Sequence, residues 1–159
     1  LWITEGGSGK FPAEDSGIFN MKAISSSVRE TLDLGRKLAG KLKKGDIVCL
    51  FGEFGSGKTV FTKGIAWGLG VRRHEITSPS FVLIREYYSG RIPLFHFDLY
   101  RLKGEKEIAT IGYEEYFYSD GITVIEWADR LKRLLPDKFL GVSIEITGDK
   151  TRKISICQT

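Results

Sequence analysis

"CLFGEFGSGKTVF", residues 49–61, decides the fold: an apolar run gives way to glycines at 52, 55 and 57, then to a lysine, a threonine and renewed apolar spacing. Gly52 to Thr59, "GEFGSGKT", satisfies the pattern G-x-x-x-x-G-K-[ST]. The preceding "DIVCLFG" has no polar alternation and predicts a short buried strand, while Val60 to Leu69 predicts a helix ending near Gly70. Strand, glycine loop, helix is the order that the pattern requires. Glycine opens backbone angles closed to other residues, so successive N–H groups can converge on phosphate oxygens at a helix N-terminus. Lys58 is then expected to reach the β- and γ-phosphates, and Thr59 to offer its hydroxyl to Mg²⁺. The expected fold class is α/β: a P-loop NTPase with a mixed central β-sheet flanked by helices, interrupted by antiparallel hairpins. A second G-K pair, in "GGSGKF", fails because Phe11 stands where a hydroxyl is needed.

The 159 residues suit one domain, and 42% hydrophobic with 28% charged residues is ordinary globular composition. No apolar run approaches the roughly 18 residues that a membrane-spanning helix needs. Residues 1–20 lack the basic start and long apolar stretch of a signal peptide, and the single methionine, Met21, follows them. They are expected to be a non-native or disordered leader, with 21–159 as a single P-loop ATPase domain. The leader carries Lys10 against Glu5, Glu14 and Asp15, so without its charge of −2 the formal total of +4 becomes +6. A mildly basic body suits an anionic ligand. Cys49 and Cys157 have no metal-ligand spacing and are expected to be reduced core thiols, consistent with a cytoplasmic protein.

Ahead of the glycine loop, "SSVRETLDLGRKLAGKLKKGD" opens with the capping box Ser27-x-x-Glu30 and places Val28, Leu32, Ala39 and Leu42 at helical spacing, with Gly45 as the expected stop. Downstream, "SFVLIREYYSGRIPLFHFDLYRL" predicts a hairpin about Ser89-Gly90. "KEIATIGYEEYF" predicts a short irregular helix, "GITVIEW" a buried strand, and Arg130 to Leu135 a helical turn or two stopped by Pro136. "GVSIEITG" and "RKISICQ" predict a closing hairpin.

The only asparagine is Asn20, which excludes guanine recognition through an N-K-x-D element and favours ATP. The only glutamine is Gln158, so a carboxylate is the natural residue to position an attacking water. Two predicted strands end in acids, at Asp98 and Glu126, where ligands bind in open α/β sheets. Either acid can be the second element of the Mg²⁺ site. Trp127, Tyr100 and His96 read equally well as core or rim residues.

Taken together, "GEFGSGKT", "TSPSF", "HFDLYR" and "IEW" resemble the bacterial ATPase family required for the threonylcarbamoyladenosine modification of tRNA, known as TsaE or YjeE. The likeness runs in order from about Ser25 to at least Arg130. It implies a weak intrinsic ATPase that works within a complex, with ATP and Mg²⁺ as cofactors. The implied partners are TsaB and TsaD, the threonylcarbamoyl-transferase pair acting on adenosine 37 of tRNA, with tRNA met mainly through that complex and neither membrane nor DNA involved. The resemblance assigns Glu53, Phe54, Gly55, Ser56, Gly57, Lys58, Thr59 and Val60 to the nucleotide, together with Ser80 and Trp127. It makes Lys58, Glu126 and Asp98 the catalytic set, and Thr59, Asp98 and Glu126 the metal set. Thr77 to Phe81 would be a switch-like segment facing the γ-phosphate, with Ser80 where the family has threonine. Rival readings are a small-molecule kinase with Gly104 to Tyr118 as its lid, and a nucleotide sensor that does not hydrolyse. Arg72, Arg73, Lys132 and Arg133 form modest basic clusters that read as a solvated face, with direct tRNA contact as the alternative.

Overall fold

Seven strands join in one mixed sheet in a computed structural model that describes residues 20–79 and 81–159. The chain runs β1 (Asn20–Ser25), α1 (Val28–Ala39), β2 (Ile47–Phe51), α2 (Lys58–Gly68), β3 (Ile84–Tyr87), β4 (Leu94–Asp98), α3 (Glu105–Ile108), α4 (Tyr113–Phe117), β5 (Ile122–Glu126), β6 (Leu140–Ile146) and β7 (Arg152–Gln158). Spatial order is β1-β7-β6-β2-β5-β4-β3. β6, β2, β5 and β4 are mutually parallel, while β3 and β7 add antiparallel to the two sides. The parallel centre explains the unbroken apolar runs: Ile47 to Leu50 and Ile122 to Glu126 are buried throughout because both faces are covered.

One face carries Val48, Leu50, Val124 and Val142 beneath Leu38 of α1 and Phe61 and Ile65 of α2. The other carries Ile47, Cys49, Phe97 and Ile125 against Ile108, Phe117 and Leu131. Each such large apolar side chain contributes about 1.5–3 kcal/mol by leaving water. α1 and α2 meet at glycines. A Cβ at Gly35 would meet the Phe61 carbonyl oxygen and one at Gly64 the Leu32 carbonyl oxygen, so the α2 backbone lies directly on α1. Ile108 and Phe117 anchor the 104–118 segment in the core, which is at odds with a lid there.

Both predicted hairpins form, β3 with β4 and β6 with β7. The capping box forms with a shift: Ser27 accepts from the Glu30 N–H at 3.1 Å, but the Glu30 carboxylate reaches the Ser26 N–H at 2.7 Å. Three expectations are corrected. α1 ends at Ala39 with Gly40 as its cap, five residues short of Gly45, whose φ of +84° serves the turn into β2. Its buried face is Thr31, Gly35, Leu38 and Ala39, with Val28 70% exposed, because close helix contact selects small residues and not the bulkiest stripe. Cys49 is in the core, where burial pushes its thiol up to about 12, but Cys157 is exposed near the end of β7; both are free. β1 was not expected at all, and Asn20, the last residue of the expected leader, is its first residue, opposite Cys157.

Candidate functional site

The loop between β2 and α2 takes backbone angles that its glycines permit: φ is +152° at Gly52, +75° at Gly55 and +105° at Gly57. A Cβ at Gly52 would stand 2.5 Å from the Ile144 carbonyl oxygen and 2.6 Å from Ser56 Oγ. Gly57 caps α2 with no side-chain bond, which leaves the helix's first N–H groups to face a ligand. Lys58 and Thr59 open that helix.

The Lys58 ammonium donates to the carbonyls of Gly52 at 2.6 Å and Glu53 at 2.8 Å, and lies 3.8 Å from the centre of the Trp127 ring. Burial holds its pKa below the ordinary lysine value, opposed by the charges of Glu126, Asp129, Asp98 and Glu53. A phosphate oxygen arriving at the loop can replace those carbonyls and supply the anion that the lysine lacks at close range.

Glu126 ends β5, the immediate neighbour of β2, and is 2% exposed. Its Oε2 accepts from the Thr59 hydroxyl at 2.7 Å and its Oε1 lies 2.7 Å from His96 Nε2. Asp98 ends β4, one strand further out and directly opposite Glu126 in register; its Oδ1 accepts from the Tyr100 N–H at 3.0 Å. Of the two acids, Glu126 is therefore the one in contact with Thr59. Thr59, Asp98 and Glu126 are all hard oxygen donors, which fits Mg²⁺, an ion that takes one or two protein carboxylates and otherwise relies on water and phosphate oxygens. Among the described residues no group of three or more His, Cys, Asp or Glu is placed to hold a metal ion.

Trp127 adopts φ +59°, a left-handed conformation that is costly for a bulky residue, as its chain leaves β5. Its ring lies 5.0 Å from Tyr100, which is 6.0 Å from Phe54. An aromatic row thus runs from Lys58 to the 77% exposed Phe54. On the opposite flank, Gly55, Ser56, Gly57 and Val60 share a cavity of about 300 Å³ with Ser27, Val28, Thr31, Asp149, Lys150 and Arg152.

Of the twelve expected site residues, five lie together beside the loop: Lys58 sits over the Trp127 ring, Thr59 donates to Glu126, and Asp98 stands opposite Glu126 in register. Glu53 contributes a carbonyl to Lys58, and Phe54 the outer end of the aromatic row. Ser80 lies outside the described residues; of its segment, Thr77 accepts through its carbonyl from the Tyr87 hydroxyl at 2.8 Å, and Phe81 is 85% exposed beside Arg101. Sequence reasoning missed the contact of His96 with Glu126, although a residue two before Asp98 on one strand must share its face. It also missed Arg152, which donates to the carbonyls of Ser56 and Gly55. Gln158 and Asn20 pair with Leu140 and Cys157 at the end of the sheet away from the loop, so neither reaches the site.

The family model described as "Threonylcarbamoyl adenosine biosynthesis protein TsaE" matches residues 25–154. Among curated relatives, the tRNA threonylcarbamoyladenosine biosynthesis protein TsaE of Bacillus subtilis is 41% identical over 126 residues, covering 79% of this chain and 78% of the relative. The protein of the same name from Treponema pallidum is 38% identical over 136 residues, covering 86% and 99%. The crystal structure of Bacillus subtilis YdiB superposes with a TM-score of 0.74 at 35% identity, covering 90% of this chain and 88% of that one.

Proposed function

Because this chain belongs to the TsaE family of threonylcarbamoyladenosine biosynthesis proteins, we propose that it binds and hydrolyses ATP, with Mg²⁺, as the accessory subunit of a complex with the transferase pair TsaB and TsaD. The observation that carries the reading is the contact of Glu126 with Thr59 beside a glycine loop whose buried lysine donates to the loop's own carbonyls and has no carboxylate partner among the described residues.

In this reading the loop amides and the start of α2 hold the phosphates, and Lys58 exchanges its carbonyl partners for β- and γ-phosphate oxygens. Mg²⁺, held by Thr59, Asp98 and Glu126, would offset charge on those oxygens. Glu126 accepts the proton of the attacking water, and His96 fixes the carboxylate from its far oxygen. Val60 and the adjoining cavity, walled by Val28 and Lys150, receive the nucleoside. The aromatic row ending at Phe54 borders the side on which the transferase pair docks, and tRNA is met through that pair. The place of action is the cytoplasm; no helix among the described residues is long and apolar enough to cross a membrane.

Reconstitution tests the reading. Threonylcarbamoyladenosine formation by the transferase pair should continue over repeated turnovers only when this chain and ATP are present, and the chain should be retained on the immobilised pair in a nucleotide-dependent manner. Unchanged modification without it, or retention that ignores nucleotide, would contradict the proposal. Retention with ATP but no phosphate release would favour a sensor.

A further inference from the structure

Arg152 begins β7, opposite Ile146 and Ser25, at the end of the sheet where the glycine loop leaves β2. Its Nε donates to the Ser56 carbonyl at 3.0 Å and its Nη2 to the Gly55 carbonyl at 3.2 Å. Nη1 donates to the carbonyls of Gly148 and Thr151, each at 3.0 Å, with Asp149 at 3.5 Å. Every acceptor is main chain, and no carboxylate pairs with this guanidinium among the described residues. The rigid fork of an arginine is thus divided between two loops that share no backbone–backbone hydrogen bond among the described residues.

A trans peptide is planar with its C=O and N–H opposed, so an atom that holds the carbonyl also aims the amide. Fixing the Gly55 carbonyl orients the Ser56 N–H, which donates to the Glu53 carbonyl at 3.2 Å. Fixing the Ser56 carbonyl points the Gly57 N–H away from Arg152. Gly55 and Gly57 hold positive φ angles and carry no side chain that would lock these two planes in place. We propose that Arg152 is a positioning residue that holds the phosphate loop in its anion-receiving form, and that it sets nucleotide affinity without touching the nucleotide. The inference rests on the reading of this loop as the ATP site.

The test titrates ADP calorimetrically into the wild-type chain, Arg152→Lys, Arg152→Ala and the control Lys153→Ala, which breaks only the neighbouring pair with Glu145. Amide hydrogen exchange of segment 52–58 is followed in the nucleotide-free protein, with melting curves alongside. Lysine keeps the charge and loses the fork. Both Arg152 variants should bind ADP about tenfold or more weakly and exchange the 52–58 segment faster, beyond any fall in melting temperature, as expected for two lost charge-assisted bonds. Lys153→Ala should leave both readouts at their wild-type values. Wild-type affinity and exchange in Arg152→Lys would overturn the proposal and leave a general electrostatic effect. Should Arg152→Ala fail to fold, Arg152→Lys decides. Should the wild-type chain bind no ADP, the ATP reading fails, and exchange of the 52–58 segment alone upholds or refutes the strap.

Discussion

Glu126→Gln keeps the side-chain volume and removes the charge from a group that is 2% exposed. The carboxylate meets the Thr59 hydroxyl and His96 Nε2, each at 2.7 Å, one on each oxygen. Glutamine has one oxygen and one NH₂, so one contact must be remade by turning the Thr59 hydroxyl or switching the His96 tautomer. If it is not remade, one charge-assisted bond is lost, at about 1.5–3 kcal/mol. For a chain of this size that lowers Tm by about 3–12 °C. Loss of a proton acceptor slows hydrolysis by about 10²–10⁴-fold, equivalent to roughly 2.7–5.5 kcal/mol of barrier. The rate should therefore fall further than stability. Single-turnover ATP hydrolysis in the complex with the transferase pair, set beside calorimetric ATP binding and a melting curve, separates the two. Normal hydrolysis would refute the role of Glu126. A rate loss matched by an equal loss of binding would make it a ligand-holding group only.

Asp98→Ala should raise the Mg²⁺ concentration needed for half-maximal nucleotide binding, since it removes one of the two opposed carboxylates; an unchanged Mg²⁺ titration would leave the metal role to Glu126. Trp127→Ala removes the ring that lies under Lys58 and packs at a tilt against Tyr100, a loss of about 0.5–2 kcal/mol from the cation–π contact, and should weaken retention on the transferase pair more than ATP binding. If that variant only unfolds, Trp127 is a core residue. The Glu86 carboxylate accepts a bond from Tyr116 at 2.8 Å, which pushes that phenol from 10.0 up to about 12. A folded value above the unfolded one means that this stabilisation is complete below pH 10 and is lost as pH rises through about 12. Melting temperature should decline across that window, and less so in Tyr116→Phe; identical profiles would show that the bond does not stabilise the fold.

The glycine loop, its strand and its helix were legible because motif and periodicity coincide on adjacent residues, and both hairpins because turn chemistry is local. The acids at Asp98 and Glu126 could be nominated from strand ends, but which of them touches Thr59 depends on strand order. β5 lies between β2 and β4, a fact carried by long-range pairing and not by either segment. β1 escaped because Asn20–Ser25 alternates exposed and buried residues over a short span containing two small side chains, Ala23 and Ser25, on its buried face. The buried stripe of α1 was misjudged for a related reason: where Gly35 and Gly64 let two backbones touch, small residues face inward and Val28 is left outside. Arg152 sits in an alternating strand and reads as solvent-facing. Only the fold brings it to the carbonyls of a loop about a hundred residues earlier in the chain.

The central claim is that this chain uses the 52–59 loop to bind and cleave ATP, and phosphate release by the wild-type chain and Lys58→Ala in the presence of the transferase pair tests it most directly. An apolar methyl cannot replace an ammonium directed at phosphate oxygens. Wild-type protein should release phosphate from ATP in a Mg²⁺-dependent manner, and Lys58→Ala should release none above the background of the pair alone. Near-normal release by Lys58→Ala would contradict the account.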